Sequence, residues 1–564
     1  MSCMVWSASS LAEGQVEVRV EGDYPALQEN ATNFIGTVED RTAENLRRYA
    51  NHAESQVREA LRALGYYEPR IRWRVEGDEP PRLILDVVPG DPVRIANRDV
   101  RVEGEASADP AFEIGNLSAI APGSILNHGD YDAVRQRILN RARKLGYFDG
   151  KFTARSLKVD PDAGEADIEL VFASGPRYAF GEVTFEDDGT FERPLLNRFV
   201  QIRPGEPYDA DRIAELDSDL SNSGYFASVI VSAQSEEAED RRVPVQVRLT
   251  TRDPRSVAAG VGFSTDVGPR LRGTWTEHWI NPMGHRRGAE MELSAPRQNV
   301  SAYYELPLDP PMTDAIRFTT GYQKEDIEDV NSERLTFGEQ WRHELDNGWM
   351  RVLSLNWEKE RYTIGDKPGD VELLLPGISF SKLVADSPLD PARGYRLQLD
   401  VSGAHRSVLS DADIAHVLGI AKGLITVGNG HRFLGRLQAG AVATNDFDDV
   451  PPSLRFFAGG DQSVRGYGYE TLSPEDSDGD SVGGRYLLVG SVEYQYPLTN
   501  QWRLAAFVDK GNAIDNLTDP LATGVGLGIR WVSPVGPLRL DIARGLDEDL
   551  GGGWRLHFSM GPEL

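Results

Sequence analysis

The chain has 564 residues, too many for a single hydrophobic core, so several domains are expected. Charged residues make up 26 % and hydrophobic residues 40 %, the balance of a folded protein, and the net charge of −28 argues against a nucleic-acid-binding protein. No apolar run approaches the roughly 18 residues of a membrane-spanning helix, so any membrane span must consist of strands.

Residues 1–13 are interpreted as a segment separate from the folded domains. They contain Cys3, the single cysteine of the chain, and pass from apolar to small residues near Ala12 without a basic start. This pattern is typical of the end of a truncated signal peptide cleaved near Ala12. A short disordered N-terminus fits it equally well.

Three segments in the first half of the chain share one pattern. Each has a short strand, two amphipathic helical stretches, a glycine followed by two aromatic residues, and two more strands. The glycines are Gly65, Gly146 and Gly224, and their near-constant spacing predicts three repeated β-α-α-β-β domains. The predicted domains comprise residues 14–90, 91–175 and 176–252.

The glycine and aromatic residues of each repeat are interpreted as a helix C-cap rather than a ligand site. The predicted helices run over residues 43–64, 131–145 and 210–223, and each ends at one of these glycines. The strands of each repeat are expected to form a three-stranded sheet with a free edge. Such an edge accepts a strand from another chain through backbone hydrogen bonds, so the repeats are candidate binding modules.

Helical periodicity disappears in the segment 253–564, where short alternating strands are separated by Gly, Asp, Asn and Pro. A soluble sandwich would alternate in the same way. The polar faces of the last strands, however, carry many charges, which suit a water-filled lumen better. These residues are Glu493, Asp509, Arg530, Arg539, Asp541, Arg555 and His557. The length from about Ser256 to Met560 fits about sixteen strands of ~10 residues with their connections, so a transmembrane barrel is predicted.

A glycine-rich loop at residues 456–470 carries a lone arginine among aromatic residues. Its central motif is Val464, Arg465, Gly466 and Tyr467. The glycines supply backbone freedom that neither a strand nor a helix interior needs, so a loop is predicted. An ordinary surface hairpin with an exposed arginine is the alternative.

The arrangement of repeats, barrel and loop resembles the Omp85 superfamily, whose barrels follow polypeptide-transport-associated (POTRA) domains. The resemblance rests on Val-Arg-Gly-Tyr at 464–467 and Phe-Val-Asp-Lys-Gly at 507–511, and on residues 63–67, 262–269, 454–461, 533–537 and 561–564. Three POTRA units favour the TamA family within the superfamily. The fold implied is three α+β POTRA domains followed by an all-β barrel of sixteen antiparallel strands in the outer membrane.

The resemblance also implies that the loop folds into the barrel lumen, where Arg465 pairs with Asp509 and Glu493. Phe507 and Gly511 complete the predicted wall that receives the loop. The residues support this implication, because both carboxylates lie on the polar face of neighbouring predicted strands. The column of inward-facing glycines at 524, 526 and 528 leaves space for a loop.

A lateral gate between the first and last barrel strands is a further implication of the resemblance. The first strand is rich in glycine, which weakens side-chain packing across the seam, and the last strand runs into a proline that cannot donate to a ladder. The predicted seam residues are Val257, Gly260 and Gly262 on the first strand and Trp554, Leu556, Phe558 and Pro562 on the last.

The function implied by the resemblance is the insertion of client β-barrels such as autotransporters, with a possible role in phospholipid transport. The expected partners are a TamB-like periplasmic protein anchored in the inner membrane, the client barrels and outer-membrane lipids. No catalytic motif is found, so no enzyme activity and no cofactor are expected. The acidic run at 476–480 lacks the glycine and the glutamate of a calcium loop, and no metal site is expected. A passive channel or an exporter of the two-partner secretion type is the alternative.

Overall fold

A computed structural model describes residues 15–38, 41–77, 80–533 and 536–561. The predicted N-terminal segment 1–13 and Pro562 therefore lie outside the described residues. Two compact units are distinguished, one within Met1–Phe185, Gln201–Leu216 and Val231–Val247, the other within Glu186–Val200, Asp217–Ile230 and Arg248–Leu564. Among the described helices, none has the length and apolar character needed to cross a membrane.

The first repeat has the predicted β-α-α-β-β order. Its elements are β1 (Val16–Val20), α1 (Pro25–Ile35), α2 (Ala43–Ala63), β2 (Arg70–Glu76) and β3 (Arg82–Val88). The sheet order is β1-β3-β2, with β1 parallel and β2 antiparallel to β3. Helix α2 begins where the Thr42 side chain accepts a hydrogen bond from the amide of Asn45, and it buries Val57 and Leu61 in the core.

The second repeat departs from the predicted order in one element. It contains β4 (Arg94–Glu103), α3 (His128–Lys144), β5 (Lys151–Asp160) and β6 (Glu165–Ala173) in the sheet order β4-β6-β5. The prediction of a second helical stretch before α3 is wrong, because the chain forms only two 3₁₀ turns there, Glu105–Ala108 and Ser118–Ile120. Pro110, Gly115 and Pro122 interrupt this segment and prevent a longer helix.

The third repeat again has three strands and two helices. They are β7 (Ala179–Glu186), α4 (Arg193–Asn197), α5 (Ala210–Asn222), β8 (Phe226–Ala233) and β9 (Arg242–Thr251), with the sheet order β7-β9-β8. In all three repeats the predicted stop glycine has a left-handed backbone, with φ of +92° at Gly65, +83° at Gly146 and +78° at Gly224. The aromatic residue that follows each glycine is buried.

The rest of the chain forms one sheet of sixteen strands, as predicted, in which each strand is antiparallel to the next. The strands are β10 (Arg255–Ser264), β11 (Gly268–Glu277), β12 (Arg286–Ser294), β13 (Arg297–Pro307), β14 (Ala315–Ile327), β15 (Val330–Glu344), β16 (Met350–Ile364), β17 (Lys367–Ala385), β18 (Arg393–Ala404), β19 (Ile414–Val427), β20 (His431–Thr444), β21 (Tyr486–Pro497), β22 (Trp502–Ile514), β23 (Ala522–Ser533), β24 (Gly536–Gly545) and β25 (Trp554–Met560). The strands nearest the two sheet ends are short and those between are long. Strand β25 has 7 residues and β10 has 10, whereas β17 has 19.

The two faces of this sheet differ as a membrane barrel requires. The outward side chains of Val508 and Leu527 are 52 % and 69 % exposed, whereas their inward neighbours Asp509 and Arg530 are buried. At one end of the barrel the outward rings of Trp502 and Trp531 stack, with centroids 5.4 Å apart. An apolar outside, an aromatic belt and a polar inside are the features of a transmembrane barrel.

Candidate functional site

The long connection between β20 and β21, residues 445–485, folds back against the barrel wall. Val464 and Tyr467 at its centre are completely buried, in a cluster that includes Val489 and Ala522 of the wall. Gly466 has a φ of +96°, and a Cβ atom on it would collide with the backbone at Arg544 and Gly545 of β24. The loop backbone therefore lies directly against the wall, a position that only glycine allows.

Arg465 is bound by the carboxylate of Asp509 on β22. Its Nε and Nη2 atoms donate to the two carboxylate oxygens at 2.7 and 2.9 Å, and its backbone amide donates to Asp509 Oδ2 at 3.1 Å. Ser491 Oγ on β21 donates to the same carboxylate at 2.5 Å. The guanidinium carbon also lies 3.2 Å from the centre of the Phe507 ring. Paired hydrogen bonds and a cation–π contact fix both the position and the plane of the guanidinium group.

A second arginine and two further carboxylates extend this pair into a network. Arg465 Nη1 donates to Glu493 at 2.9 Å and to Asp541 at 3.1 Å. Arg530 donates to the same two carboxylates, at 2.7 Å to Glu493 and 2.6 Å to Asp541. All these side chains are less than one tenth exposed. Two arginines thus bind three buried carboxylates on β21, β22 and β24.

Glycines on β23 make room for this network. A Cβ atom on Gly524 would collide with the carbonyl oxygen of Arg465, and one on Gly528 would collide with the carboxylate of Asp541. A Cβ on Gly526 would overlap the ring of Phe507. The glycine column predicted to leave space for the loop therefore accommodates the loop backbone and the side chains that bind it.

Tyr467 ties the loop to the connection between β24 and β25. Its hydroxyl lies 3.0 Å from the carbonyl oxygen of Thr523 and 3.1 Å from Asp547 Oδ2, and it accepts a hydrogen bond from the amide of Asp547 at 3.2 Å. Asp547 Oδ2 also accepts the amide of Thr523 at 2.6 Å. The motif is thus held on both sides of Gly466.

The loop also contacts the last strand and the first hairpin. The amide of Gly466 donates to His557 Nε2 at 2.9 Å, so this ring carries its proton on Nδ1, which donates to Asp461 Oδ1 at 2.7 Å. Thr265, in the turn between β10 and β11, donates to the same Asp461 oxygen at 2.8 Å. Asp461 is therefore bonded to residues from both ends of the sheet.

Asp266, which lies in the same turn as Thr265, is a neighbour of Asp461 in the loop. The amide of Asp461 donates to both carboxylate oxygens of Asp266, at 3.1 and 2.9 Å. Burial, together with the neighbouring Asp461 carboxylate, raises the pKa of Asp266 to about 8. Two carboxyl groups thus lie together in a partly buried site, at the end of the seam where Thr265 meets Phe558.

The seam between β10 and β25 lacks a ladder. Strand β10 pairs along its whole length with β11, but within the described ranges no strand pairing joins it to β25. The hydrogen bonds between them in the described ranges lie at one residue pair, where the amide of Thr265 donates to the carbonyl of Phe558 at 3.2 Å and the amide of Phe558 donates to Thr265 Oγ1 at 3.0 Å. The rings of Phe263 and Phe558 lie 5.9 Å apart.

The structure brings together most of the predicted loop and wall residues, but not all of them. A Cβ on Gly511 would collide with β21, between Leu488 and Val489, so this glycine allows close strand packing rather than loop docking. Phe558 lies at the contact between the seam strands. Val257 and Gly260 lie farther down β10, toward its start, where Val257 is 78 % exposed and a Cβ on Gly260 would meet open space.

The remaining predicted seam residues occupy different surroundings. Gly262 faces the side chain of Arg270 on β11. Trp554 and Leu556, at the start of β25, are 70 % and 56 % exposed. Sequence reasoning missed the roles of Arg530, Asp541 and His557, although it placed all three on the inward face. It gave no signal for Asp266, because nothing in the sequence relates the first hairpin to the loop.

Comparisons with known proteins agree with this architecture. Residues 277–563, half of the chain, match the Omp85 superfamily domain. Residues 17–89 match the POTRA domain described as TamA domain 1, and residues 96–175 and 178–252 match the POTRA family described as surface antigen variable number repeat.

Among individual proteins, the outer membrane protein assembly factor BamA of Nitratidesulfovibrio vulgaris is 24 % identical over 438 residues, which cover 74 % of this chain and 55 % of the relative. BamA of Neorickettsia risticii is 21 % identical over 519 residues, which cover 86 % and 68 %. The crystal structure of BamA from Haemophilus ducreyi lacking POTRA domains 1–3 has the same fold, with a TM-score of 0.66 at 15 % identity over 82 % of this chain and 99 % of that structure.

Fold and site define an outer-membrane β-barrel that follows periplasmic POTRA domains and is braced by an internal loop. The chain belongs to the Omp85 superfamily. It spans 55 % of the length of the first of these two relatives and 68 % of the second. Because the POTRA domains are periplasmic, the end of the barrel where β10 begins faces the periplasm, and the loop enters from the cell surface.

Proposed function

We propose that this protein is a non-enzymatic insertase that assists the assembly of other β-barrel proteins in the outer membrane. The observation that carries the proposal is the free edge of β10. Among the described residues, the backbone hydrogen bond between the first hairpin and β25 is the one at Thr265, just after β10, so most amide and carbonyl groups on the outer side of β10 are available to a client strand. An exposed edge accepts a strand through main-chain hydrogen bonds with little demand on sequence.

Separating β10 from β25 requires less free energy than separating any other pair of neighbouring strands in the sheet. Each net hydrogen bond contributes about 0.5 to 1.5 kcal/mol, and the described residues of the seam form two, one of them to the Thr265 side chain, whereas β10 and β11 pair over ten residues. The network around Arg465 stabilises β21, β22 and β24, which keeps the wall beside the seam in place. The seam strands therefore form the lateral gate in this proposal.

The short last strand supports a second part of the mechanism. β25 has 7 residues, fewer than the about 9 to 11 of an ordinary membrane strand, whereas β10 has 10 and β17 has 19. A wall that is shorter than the bilayer core thins the membrane next to it. Local thinning lowers the free energy needed to insert a client barrel. We include in the proposal a contribution of the same thinned region to phospholipid transport.

For the periplasmic partner we propose a TamB-like protein anchored in the inner membrane, which docks on the POTRA domains. The first of these domains matches TamA domain 1, which favours a TamA-type function with autotransporters among the clients. One of the two edge strands of its sheet is β2, where Trp73 is 38 % exposed. An exposed aromatic residue on an edge strand is a suitable anchor for an added strand.

A disulfide that locks the seam tests the gate. Continuing the register from Thr265 and Phe558 places Ser264 opposite Ser559, so the double variant Ser264→Cys/Ser559→Cys, made with Cys3→Ser, cross-links β10 to β25 with little change in volume. We expect the oxidised protein to lose client assembly in reconstituted membranes and a reductant to restore it. The matched control is Ala258→Cys/Thr274→Cys, which cross-links the closed pair β10 and β11 and leaves assembly unchanged.

If the locked seam inserts clients at the normal rate, the gate mechanism is wrong. A passive channel is the alternative, and conductance in planar bilayers separates the two functions. The loop and the buried network in the lumen predict small currents for the unmodified protein, whereas a large steady conductance would favour the channel.

A further inference from the structure

Asp461, where the loop, the first hairpin and the last strand meet, has one carboxylate oxygen without a hydrogen-bond partner among the described residues. The Asp461 side chain is 4 % exposed, and its Oδ1 accepts hydrogen bonds from Thr265 and His557. Its Oδ2 is buried and accepts no hydrogen bond. A buried carboxylate oxygen without a partner costs free energy, so a ligand for this oxygen is expected.

The charges around Asp461 define the ligand. Asp266 places a second carboxylate beside it, and His557 is neutral because its Nε2 accepts the amide of Gly466. Within the described part of the chain, neither Asp266 nor Asp461 forms an ion pair with an arginine or a lysine. The guanidinium of Arg465 is engaged by Asp509, Glu493 and Asp541. The site therefore combines two carboxylates that form no ion pair with an arginine or a lysine among the described residues, although Lys422, Arg436 and Arg539 line the same small cavity as Asp461.

We propose that Asp266 and Asp461 bind a divalent cation of the Mg²⁺ or Ca²⁺ type at the seam. The nearest ligand atoms of Asp266, Asp461 and His557 lie within 4.8 Å of one another. An ion about 2.4 Å from each of two oxygen ligands spans at most about 4.8 Å between them, so separations within this limit allow one ion to bind both carboxylates. Asp461 Oδ2 and the Asp266 carboxylate are the protein ligands, and water completes the coordination, as is usual for Mg²⁺ bound by one or two carboxylates.

The histidine positions the site rather than binding the ion. Its Nδ1 proton is donated to Asp461 Oδ1 and its Nε2 accepts the Gly466 amide, so neither nitrogen has a free lone pair for a metal. This leaves an all-oxygen ligand set, which favours hard cations over zinc. The hydrogen bond from His557 to Oδ1 fixes the Asp461 carboxylate and leaves Oδ2 for the ion, the usual task of an outer-shell residue.

The position of the ion has a structural consequence. Asp266 follows β10, Asp461 belongs to the loop, and His557 belongs to β25, so the ion stabilises the surface end of the seam. Its removal is expected to loosen the contact between Thr265 and Phe558. The proposal does not depend on the insertase function, because cation binding is measured without any client.

The test uses Mn²⁺ as the probe and the full chain in phosphatidylcholine nanodiscs, after treatment with a chelator. Electron paramagnetic resonance of free Mn²⁺ is expected to show one tight site per chain that Mg²⁺ or Ca²⁺ displaces. Asp461→Asn and Asp266→Asn are expected to weaken it more than tenfold, and His557→Gln by about tenfold to a hundredfold. A triple variant, Asp476→Asn/Asp478→Asn/Asp480→Asn, is the control for exposed acidic residues and is expected to bind normally.

Two outcomes would overturn the proposal: no tight Mn²⁺ site in the unmodified chain, or a site that the triple variant removes and Asp266→Asn leaves intact. The first would mean that the two carboxyl groups share a proton instead of a cation.

A second measurement needs no variant. The temperature of unfolding, followed by heat-dependent gel mobility, is expected to rise when Mg²⁺ replaces chelator, because a ligand of the native state stabilises it. Equal temperatures in the two conditions would also contradict the site.

Discussion

Asp509 accepts three hydrogen bonds from the single residue Arg465, one from the backbone amide and two from the guanidinium group. One wall residue therefore fixes both the path of the loop backbone and the direction of its side chain. Asp509 is completely buried and Arg465 is 6 % exposed, so water does not replace these bonds when one partner is removed.

Replacing Arg465 by alanine is expected to destabilise the barrel by about 3 to 5 kcal/mol, because buried Asp509 then loses its ion pair with Arg465, while Glu493 and Asp541 keep only the pair with Arg530. Stability is measured as the heating temperature at which the band of the folded barrel disappears from the gel. The matched control is Arg361→Ala, which breaks an exposed pair with Asp370 and is expected to cost no more than about 1 kcal/mol. Equal losses of stability in the two variants would show that Arg465 is exposed to water, which would contradict the buried network.

Exchanging the charges of Arg465 and Asp509 is expected to fail as a rescue. Arg465→Glu with Asp509→Arg restores one opposite pair, but it places the new glutamate beside Glu493 and Asp541, which Arg465 neutralises in the native chain. Like charges in a buried site repel strongly. We therefore expect the double variant to be no more heat-resistant than Asp509→Arg alone. Full recovery would show that Glu493 and Asp541 depend on Arg530 only.

The glycine column gives a steric prediction. Gly528→Ala places a methyl group where the Asp541 carboxylate lies, and we expect a loss of stability of at least about 1 to 3 kcal/mol, the usual cost of overpacking. Gly435→Ala on β20 is the matched control, because its Cβ meets open space and alanine suits a strand no less well than glycine. A neutral Gly528→Ala would mean that the network is displaced without cost.

The fold was predictable because its signals are local. The spacing of Gly65, Gly146 and Gly224 predicted the repeats, the alternation of apolar and charged residues predicted a barrel, and the length of that segment fits about sixteen strands. The partner of Arg465 was accessible only through a resemblance, since Asp509 lies 44 positions away. The contact of Asp461 with Asp266, 195 positions apart, exists because the barrel curves its last strand back to its first. No local sequence pattern indicates which residues this closure brings together.

Asp390 provides the last prediction, at the opposite end of the lumen. It lies in the turn between β17 and β18 and binds Arg432 at 2.7 Å and Arg503 at 2.7 and 3.0 Å, both on the lumenal face. Burial alone would raise the pKa of Asp390, but the hydrogen bonds and charges of Arg503 and Arg432 lower it below its ordinary value. The turn is thereby held across the periplasmic mouth.

The sign of the pH dependence follows from this lowered pKa. The pairing stabilises the folded barrel at every pH above the unfolded value, about 3.9, and the stabilisation disappears as the pH falls through the lower folded value. We expect Asp390→Ala to cost about 1.5 to 3 kcal/mol between pH 5 and 8, with no variation across that range, and much less at pH 3. Unfolding temperatures of the variant and the parent at each pH measure this difference, with Asp370→Ala as the exposed control. A difference that grows on acidification would contradict the assigned ion pair, because protonated Asp390 no longer attracts the two arginines.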